Sequence, residues 1–227
     1  MASERPKQYL PLLNQTLIEV TVKKLLACAY IEGVIVALSD RDTYWQHTTL
    51  AHHHKIFTVI GGCDRSDSVY KALCFCKEKL ATSPSSCAQK VWALVHDAAR
   101  PCVSLKKIDE LANLAVIEGD RKMYCGAILA TPVSDTIKRV GDKQTILATE
   151  DRSQLWSAHT PQLFPLSRLI EALSECQEKN IVVTDEASAI EATGGKVRVV
   201  MDRQDNIKVT VPEDLALAEY LLTQGEV

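Results

Sequence analysis

The chain has 227 residues, 46% of them apolar and 24% charged, which is enough for one large α/β domain with a sizeable core. Its 26 Lys and Arg against 29 Asp and Glu give a formal charge of -3, which argues against a nucleic-acid partner and favours a small anionic substrate. No apolar run approaches the roughly 20 residues of a membrane span, and residues 1–15 carry no secretion signal. We therefore expect a cytoplasmic protein without a membrane partner.

The cysteines point to the same compartment. The chain has 8 cysteines, several of them inside apolar patterns, and no two form a Cys-x-x-Cys pair. Buried cysteines behave as small apolar side chains, and the cytosol keeps thiols reduced. The sequence predicts free thiols rather than a disulfide framework or a zinc site.

The first half of the chain alternates helix and strand patterns. Apolar residues recur at helical spacing within 15–30 and again within 66–80, which predicts two amphipathic helices. Short, mainly apolar runs at Val34–Leu38, Ile56–Ile60 and 91–95 predict strands, and the run at Val34–Leu38 is unbroken. Strands that are apolar throughout are typical of a parallel sheet covered by helices on both faces.

The second half repeats this alternation. A helix is predicted at 105–118, a strand at 125–130, and a helix from Pro165 to about residue 177. Thr184 is expected to cap a helix that ends at Gly194-Gly195, strands follow at 197–201 and 207–211, and a last helix begins at Pro212. The sequence thus predicts an α/β fold with a doubly wound, mostly parallel sheet, in a single domain spanning 1–227.

The pattern changes at about residues 131–153. Two short alternating runs, Asp135-Thr136-Ile137-Lys138 and Thr145-Ile146-Leu147, are separated by a Gly-Asp-Lys turn. This predicts a protruding β-hairpin arm. Because an extended hairpin exposes the edges of its strands, we expect the arm to pack on a second subunit and form a homodimer.

Four polar segments follow predicted strands or open a helix, at 61–68, 96–101, 184–188 and 205–210. Open α/β sheets bind ligands outside the carboxyl ends of their strands, so these segments are candidate parts of a site. Each has an ordinary alternative: a tight turn, a helix cap, or a local ion pair between Asp97 and Arg100. Lys7 and Lys208 are compatible with simple surface lysines. Singly, none of these signals identifies a function.

Together, seven ordered blocks resemble the 2-C-methyl-D-erythritol 4-phosphate cytidylyltransferase family over residues 5–222. The resemblance implies a Rossmann-like nucleotidyltransferase that is joined into a homodimer through the hairpin arm and uses CTP, a polyol phosphate and Mg²⁺. The blocks are Pro6-Lys7-Gln8-Tyr9-Leu10, Gly61-Gly62 through Ser68-Val69, Val95-His96-Asp97-Ala98-Ala99-Arg100-Pro101, Asp135-Thr136, Thr160-Pro161-Gln162, Thr184-Asp185-Glu186-Ala187 and Asp205-Asn206-Ile207-Lys208-Val209-Thr210.

The reaction that the resemblance implies is displacement at phosphorus in isoprenoid precursor synthesis by the non-mevalonate route. A phosphate oxygen of the polyol attacks the α-phosphorus of CTP and pyrophosphate leaves. Cations and positioning carry most of such catalysis. By resemblance, Lys7 stabilises the transition state, Lys208 holds the substrate phosphate, and Arg152 does the same across the dimer interface.

The resemblance also implies binding roles. Asp97 and Arg100 would contact the methylerythritol phosphate, with Asp97 as the alternative metal ligand. Thr160 and the partner subunit's Thr136 would lie nearby. The nucleotide would be held by three residues whose small size lets backbone groups reach the base, namely Gly62, Ser68 and Ala98.

The sequence departs from the family pattern at two places. Family members begin with a buried strand and a glycine-rich loop that cradles the CTP triphosphate, whereas here the first block already starts at Pro6. We expect this chain to lack that strand and loop, the sheet to be open near its middle, and the chain as written to have little or no activity. Cys63 stands where an acidic or small residue is common.

Three other functions differ in how well they explain these residues. A D-ribitol 5-phosphate cytidylyltransferase would share the fold and the lysines. A non-catalytic dimerisation module would explain a missing loop, but the presence of Lys7, Arg152 and Lys208 opposes it. A nicotinamide-binding protein is disfavoured because no Gly-x-Gly-x-x-Gly follows a strand.

Overall fold

The computed structural model describes residues 5–82, 91–121 and 124–225, and the side chains of 115–121 are left out of the description. Cys87 lies outside these ranges, and the other seven cysteines are free, as predicted. Within the described ranges, no helix has both the length and the apolar character needed to cross a membrane.

The elements in chain order are β1 (Pro11–Leu12), β2 (Gln15–Thr16), α1 (Leu17–Leu26), β3 (Val34–Leu38), β4 (Ile56–Ile60), α2 (Arg65–Ala81), β5 (Trp92–Val95), α3 (Leu105–Arg121), β6 (Ala127–Pro132), β7 (Lys138–Val140), β8 (Ile146–Thr149), β9 (Trp156–Pro165), α4 (Leu166–Glu178), α5 (Glu186–Ala192), β10 (Arg198–Met201) and α6 (Pro212–Thr223).

The largest sheet has four strands in the order β10-β6-β9-β5. β10 is parallel to β6, while β9 is antiparallel to both β6 and β5, so three of the four strands run in one direction. β3 and β4 form a separate parallel pair. The predicted α/β fold with mostly parallel strands is confirmed.

Strand β6 lies at the centre of the core. Ile128 and Ala130 on one of its faces pack in a cluster with residues of α4 and α5. Ala127 and Leu129 on the opposite face pack with residues of α1 and α3. Because alternate residues of a strand point to opposite faces, helices cover both sides of the sheet, and the sheet is doubly wound.

The two parallel-strand units are not joined by a strand ladder in the described chain. β3 is paired on one side only, with β4, and β5 is paired on one side only, with β9. Val34 of β3 packs against the same hydrophobic cluster as Trp92 and Leu94 of β5. The unpaired edges of β3 and β5 therefore belong to neighbouring parts of the core.

The N-terminal helix starts later than its apolar pattern predicts. Leu13 and Asn14 have positive φ angles of 50° and 58° and form the turn between β1 and β2. Thr16 then closes a capping box with Glu19, so α1 begins at Leu17. The predicted range of 15–30 was too long at both ends, since the helix ends at Leu26.

One strand was not predicted and one predicted strand was wrong. β9 is the longest strand, with 10 residues, but Pro161 and Pro165 interrupt the donor pattern by which a strand is recognised. Conversely, 207–211 forms no strand. In place of a strand ladder, its backbone makes a single long-range hydrogen bond, from Val209 N to Ala99 O at 2.8 Å.

Two smaller predictions also need correction. The cap of α5 is Asp185 rather than Thr184, because the Asp185 carboxylate accepts a hydrogen bond from Ser188 N at 2.9 Å. In the segment predicted as an arm, β7 begins only at Lys138, while β6 runs on to Pro132. β7 and β8 form an antiparallel pair of their own, joined by a 3-10 turn at Asp142–Gln144.

Candidate active site

A cavity of about 140 Å³ collects the polar segments that follow the strands. It lies where the loop after β5, the start of α2, strand β9, the start of α5 and the loop after β10 converge. This is the edge of an α/β sheet where ligands usually bind. The residues that line it are Arg65, Asp97, Arg100, Ala158, His159, Thr160, Gln162, Thr184, Asp185 and Lys208.

Asp97 is the most highly connected residue of the cavity. Its Oδ1 accepts a hydrogen bond from Arg65 Nε at 3.1 Å, and its Oδ2 lies 2.8 Å from Lys208 Nζ and 3.8 Å from Arg100 Nε. Burial alone would raise the pKa of Asp97, but the hydrogen bond from Lys208 and the charge of Arg65 outweigh burial and lower the pKa to about 2. Asp97 is therefore a carboxylate at neutral pH.

Arg100 is held from behind by the loop that carries Lys208. Its Nη1 donates to the backbone oxygen of Asn206 at 2.6 Å, and only 9% of the residue is exposed. Asn206 in turn donates to the backbone oxygen of Thr160 at 2.9 Å and to Asp202 at 2.7 Å. The arginine is thus fixed between two loops, with its charge close to the cavity.

Thr160 and His96 orient the backbone of the β5 loop. Thr160 Oγ1 accepts a hydrogen bond from Asp97 N at 3.0 Å and lies 2.9 Å from His96 Nδ1, while His96 Nε2 lies 3.0 Å from Arg100 O. Burial lowers the pKa of His96 to about 4, so the ring is neutral at pH 7. The predicted residues Asp97, Arg100, Thr160 and Lys208 are therefore brought together.

Three residues of the site were not singled out by the sequence. Arg65 donates from Nη1 and Nη2 to the two carboxylate oxygens of Glu186, at 2.7 and 3.1 Å. Gln162 is 1% exposed and bridges Asp185 Oδ2 and Ala187 N, at 2.8 and 2.9 Å. All three belong to the blocks that carry the family resemblance, but the contacts that they make join segments that are far apart in the chain.

The segment after β4 forms a second, adjacent polar turn. Gly62 N donates to Ser68 Oγ at 2.9 Å, and Cys63 N donates to Asp67 Oδ2 at 3.0 Å. A Cβ at Gly62 would overlap the side chain of Asp67, so a glycine is required for this close approach. Gly62 and Ser68 are therefore in contact. Ala98 lies in the loop after β5 and its oxygen accepts a hydrogen bond from Thr21 at 3.0 Å.

Six predicted residues lie outside the lining of the cavity, namely Gly62, Ser68 and Ala98, described above, and Lys7, Thr136 and Arg152. Lys7 is exposed in a 3-10 helix, Lys7–Tyr9. Thr136 and Arg152 are exposed on either side of the β7–β8 hairpin. A single subunit does not bring Thr136 or Arg152 into this cavity.

A family model matches nearly the whole chain. The family model described as IspD, 2-C-methyl-D-erythritol 4-phosphate cytidylyltransferase, matches residues 1–224. The chain belongs to this family.

Curated members of the cytidylyltransferase family align along the whole chain. The protein of this name from Vibrio cholerae serotype O1 is 45% identical over 227 residues, covering 100% of this chain and 92% of the relative. The Haemophilus influenzae (strain PittEE) protein is 46% identical over 226 residues, again with coverages of 100% and 92%. These alignments give no support to the expected loss of activity, and the expected lack of a strand and loop is not confirmed.

Solved structures of the cytidylyltransferase family share the fold. A crystal structure of 4-diphosphocytidyl-2C-methyl-D-erythritol synthase is 31% identical with a TM-score of 0.80, covering 95% of this chain and 94% of that chain. The Francisella tularensis 2-C-methyl-D-erythritol 4-phosphate cytidylyltransferase is 34% identical with a TM-score of 0.78, covering 96% and 94%.

The cavity fits a metal only in part. Within residues 5–82, 91–121 and 124–225, no group of three His, Cys, Asp or Glu side chains could hold a metal ion. Asp97 offers one carboxylate, whose two oxygens already contact Arg65 and Lys208. Mg²⁺ usually takes one or two protein carboxylates and fills its remaining positions with phosphate oxygens and water. One carboxylate suits a metal that arrives with a nucleotide, and Asp97 as its ligand stays a prediction.

A larger open groove, of about 560 Å³, lies between α3 and β10. It is lined by residues such as Lys106, Glu110 and Met201, and by none of the predicted site residues. Because the charged and hydrogen-bonded groups converge on the smaller cavity, we place the chemistry there.

Proposed function

We propose that this protein transfers a cytidylyl group from CTP to 2-C-methyl-D-erythritol 4-phosphate. The products are 4-diphosphocytidyl-2-C-methyl-D-erythritol and pyrophosphate, a step in the non-mevalonate route to isoprenoids. Besides family membership, one observation carries the proposal. Arg65, Arg100 and Lys208 surround the carboxylate of Asp97 at the carboxyl ends of the strands, where two polyanionic substrates would have to meet.

The chemistry needs positive charge more than it needs a nucleophile. A phosphate oxygen of the polyol attacks the α-phosphorus of CTP, the bond from that phosphorus to the pyrophosphate oxygen breaks, and pyrophosphate leaves. Negative charge spreads over the phosphate oxygens in the transition state, and fixed cations stabilise it. Lys208 and Arg100 would hold the attacking phosphate, Asp97 would orient both cations, and Thr160 would fix the loop of Asp97.

The remaining assignments rest on the resemblance. Lys7 would stabilise the transition state at the α-phosphorus, and Gly62, Ser68 and Ala98 would hold the cytidine. The contact between Gly62 and Ser68 supports a preformed turn for the base. When bound, Mg²⁺ would neutralise charge on the triphosphate, with Asp97 as its candidate protein ligand.

We further propose a cytoplasmic homodimer that is joined through the β7–β8 hairpin. Five large apolar side chains on and beside the hairpin are between 38% and 65% exposed in the single chain, which is unusual for apolar side chains unless they are covered. Dimerisation would cover them and bring Thr136 and Arg152 to the site of the other subunit. The five residues are Val140, Ile146, Leu147, Leu155 and Trp156.

One further strand would fit between β3 and β5. Within the described parts of the chain each of these strands is paired along one edge only, and Val34 and Leu94 share one hydrophobic cluster. We propose that a strand and glycine-rich loop of the family type occupy this place, where the loop would add backbone amides for the triphosphate.

Pyrophosphate release tests these proposals. CTP, Mg²⁺ and 2-C-methyl-D-erythritol 4-phosphate are supplied to this chain and to a form extended at its N-terminus by a family-type strand and loop. Turnover by either form supports the proposed reaction, and turnover by the extended form alone supports the added strand. If neither form turns over, the proposed reaction is rejected. Competition between the methylerythritol and D-ribitol phosphates separates the two polyol specificities.

A further inference from the structure

Arg65 and Glu186 form an ion pair beside the cavity, and the proposed reaction assigns no role to Glu186. Each is the first residue of its helix, Arg65 of α2 and Glu186 of α5, and each helix starts at the cavity. The Glu186 side chain is 1% exposed, whereas Arg65 is 37% exposed and lines the cavity. Burial would lower the pKa of Arg65, but the hydrogen bonds and charge of Glu186 raise it.

Arg65 donates hydrogen bonds to both Glu186 and Asp97. Both terminal nitrogens donate to Glu186, at 2.7 and 3.1 Å, and Nε donates to Asp97 at 3.1 Å. Asp97 Oδ1 accepts this single bond, and Oδ2 is left for Lys208 at 2.8 Å. An arginine whose terminal nitrogens are not engaged can bind a carboxylate through two parallel bonds, which would place Arg65 against both oxygens of Asp97 in competition with Lys208.

We infer that Glu186 is a positioning residue, which occupies the fork of Arg65 and thereby leaves one oxygen of Asp97 to orient Lys208. This inference rests on the proposed function. Stability alone is a weak explanation for the pair, because burying an ion pair is often no more stabilising than packing apolar side chains in its place. Its location beside Asp97 and Lys208 gives it a function in placing the cation that holds the substrate phosphate.

The test compares Glu186→Gln and Arg65→Lys with the wild type, in whichever form turns over. Glu186→Gln keeps the shape but removes the charge that engages the fork, and Arg65→Lys keeps a positive charge but has no fork. For both we expect kcat/KM for the polyol phosphate to fall roughly tenfold or more, with the KM for CTP changed by less than about twofold. Glu175→Gln is the control, because Glu175 pairs with Lys179 on the exposed face of α4 at 2.6 Å.

A background of Asp97→Asn separates positioning from a structural role. If Glu186 acts through Asp97, Glu186→Gln should have little further effect in that background, so the two losses should not add. Binding of the polyol phosphate is measured by calorimetry with a CTP analogue that has a methylene bridge between its α and β phosphates, which also serves variants with slow turnover.

The outcomes are distinct. Wild-type protein that does not turn over rejects the proposed function and this inference with it. An active wild type with unchanged kinetics in Glu186→Gln overturns the inference alone. A fall in kcat/KM that is equally large in the Asp97→Asn background also overturns it. So does a fall in kcat that is accompanied by a lowered Tm while both KM values stay constant.

Discussion

The ammonium of Lys208 lies 2.8 Å from Oδ2 of Asp97, which joins the loop after β10 to the loop after β5. Lys208 is 41% exposed at its side chain and Asp97 only 13%, so the lysine reaches from the surface to a partly buried partner. The carboxylate is ionised at neutral pH because its pKa is about 2. The pair therefore holds one cation at the mouth of the cavity in a defined direction.

Replacement of Lys208 tests this arrangement. In Lys208→Met we expect kcat/KM for the polyol phosphate to fall about 100-fold or more, because a preorganised charge at the reacting phosphate is lost. Lys107→Met is the control, since Lys107 pairs with Glu110 on α3 at 2.7 Å and neither residue lines the cavity. Steady-state pyrophosphate release measures both variants. A loss smaller than threefold in Lys208→Met, comparable with the control, would contradict a direct role.

Local patterns predicted the elements of this fold better than its long-range contacts. The apolar runs of β3 and β4 and the start of α6 at Pro212 were read correctly, because each follows from neighbouring residues. β9 was missed because a proline such as Pro161 is uncommon within a strand. Pairing with the distant strands β5 and β6 nevertheless stabilises β9. The contact of Arg65 with Glu186 joins residues that are 121 positions apart, and no spacing rule in a single sequence reveals such a pair.

Gly62 provides a test of the nucleotide turn. In Gly62→Ala the new methyl group would overlap the side chain of Asp67 and break its bond to Cys63 N. We expect the KM for CTP to rise roughly tenfold while the KM for the polyol phosphate stays nearly constant, because only the turn is displaced. Gly33→Ala is the comparison, because a Cβ there would meet its nearest atom, Lys55 O, at 3.2 Å, whereas a Cβ at Gly62 would lie 1.9 Å from Asp67 Oδ2. Equal changes in both KM values would contradict a role limited to CTP.

His96 should make the folded protein sensitive to acid. Its folded pKa of about 4 lies below the ordinary value of 6.5, so the unfolded chain binds a proton first as the pH falls. Stability from this group is complete above pH 6.5 and is lost between pH 6.5 and 4, by at most about 3 kcal/mol. Urea unfolding across this interval should show a smaller decrease in His96→Gln than in the wild type. Parallel curves would contradict the assignment.

Gln162 links β9 to the start of α5. In Gln162→Leu, Ala187 N loses a partner in a buried environment and Asp185 Oδ2 loses one in a partly buried environment. We expect the free energy of unfolding to fall by about 1–3 kcal/mol. Gln177→Leu, at an exposed position of α4, should change it by less than about 0.5 kcal/mol. A destabilisation in Gln162→Leu no greater than that of the control would show that the two bonds contribute little.

Mixed dimers test whether Arg152 acts across the subunit interface. Lys208→Met and Arg152→Ala are each expected to be nearly inactive alone. If Arg152 serves the partner's site, a mixed dimer contains one site with both Lys208 and Arg152 intact. Random reassortment of equal amounts should then recover about one quarter of wild-type activity, because half of the dimers are mixed and each has one complete site.

The hairpin supplies the control for that experiment. Leu147 is 65% exposed on β8, so Leu147→Asp should prevent dimerisation, seen by sedimentation, and abolish the recovery of activity. Val182→Asp changes an apolar side chain that is 86% exposed outside the hairpin, and should leave both intact. No recovery in the mixture despite confirmed reassortment would mean that Arg152 acts within its own subunit or not at all. Dimers that persist in Leu147→Asp would place the interface elsewhere than on this face of the hairpin.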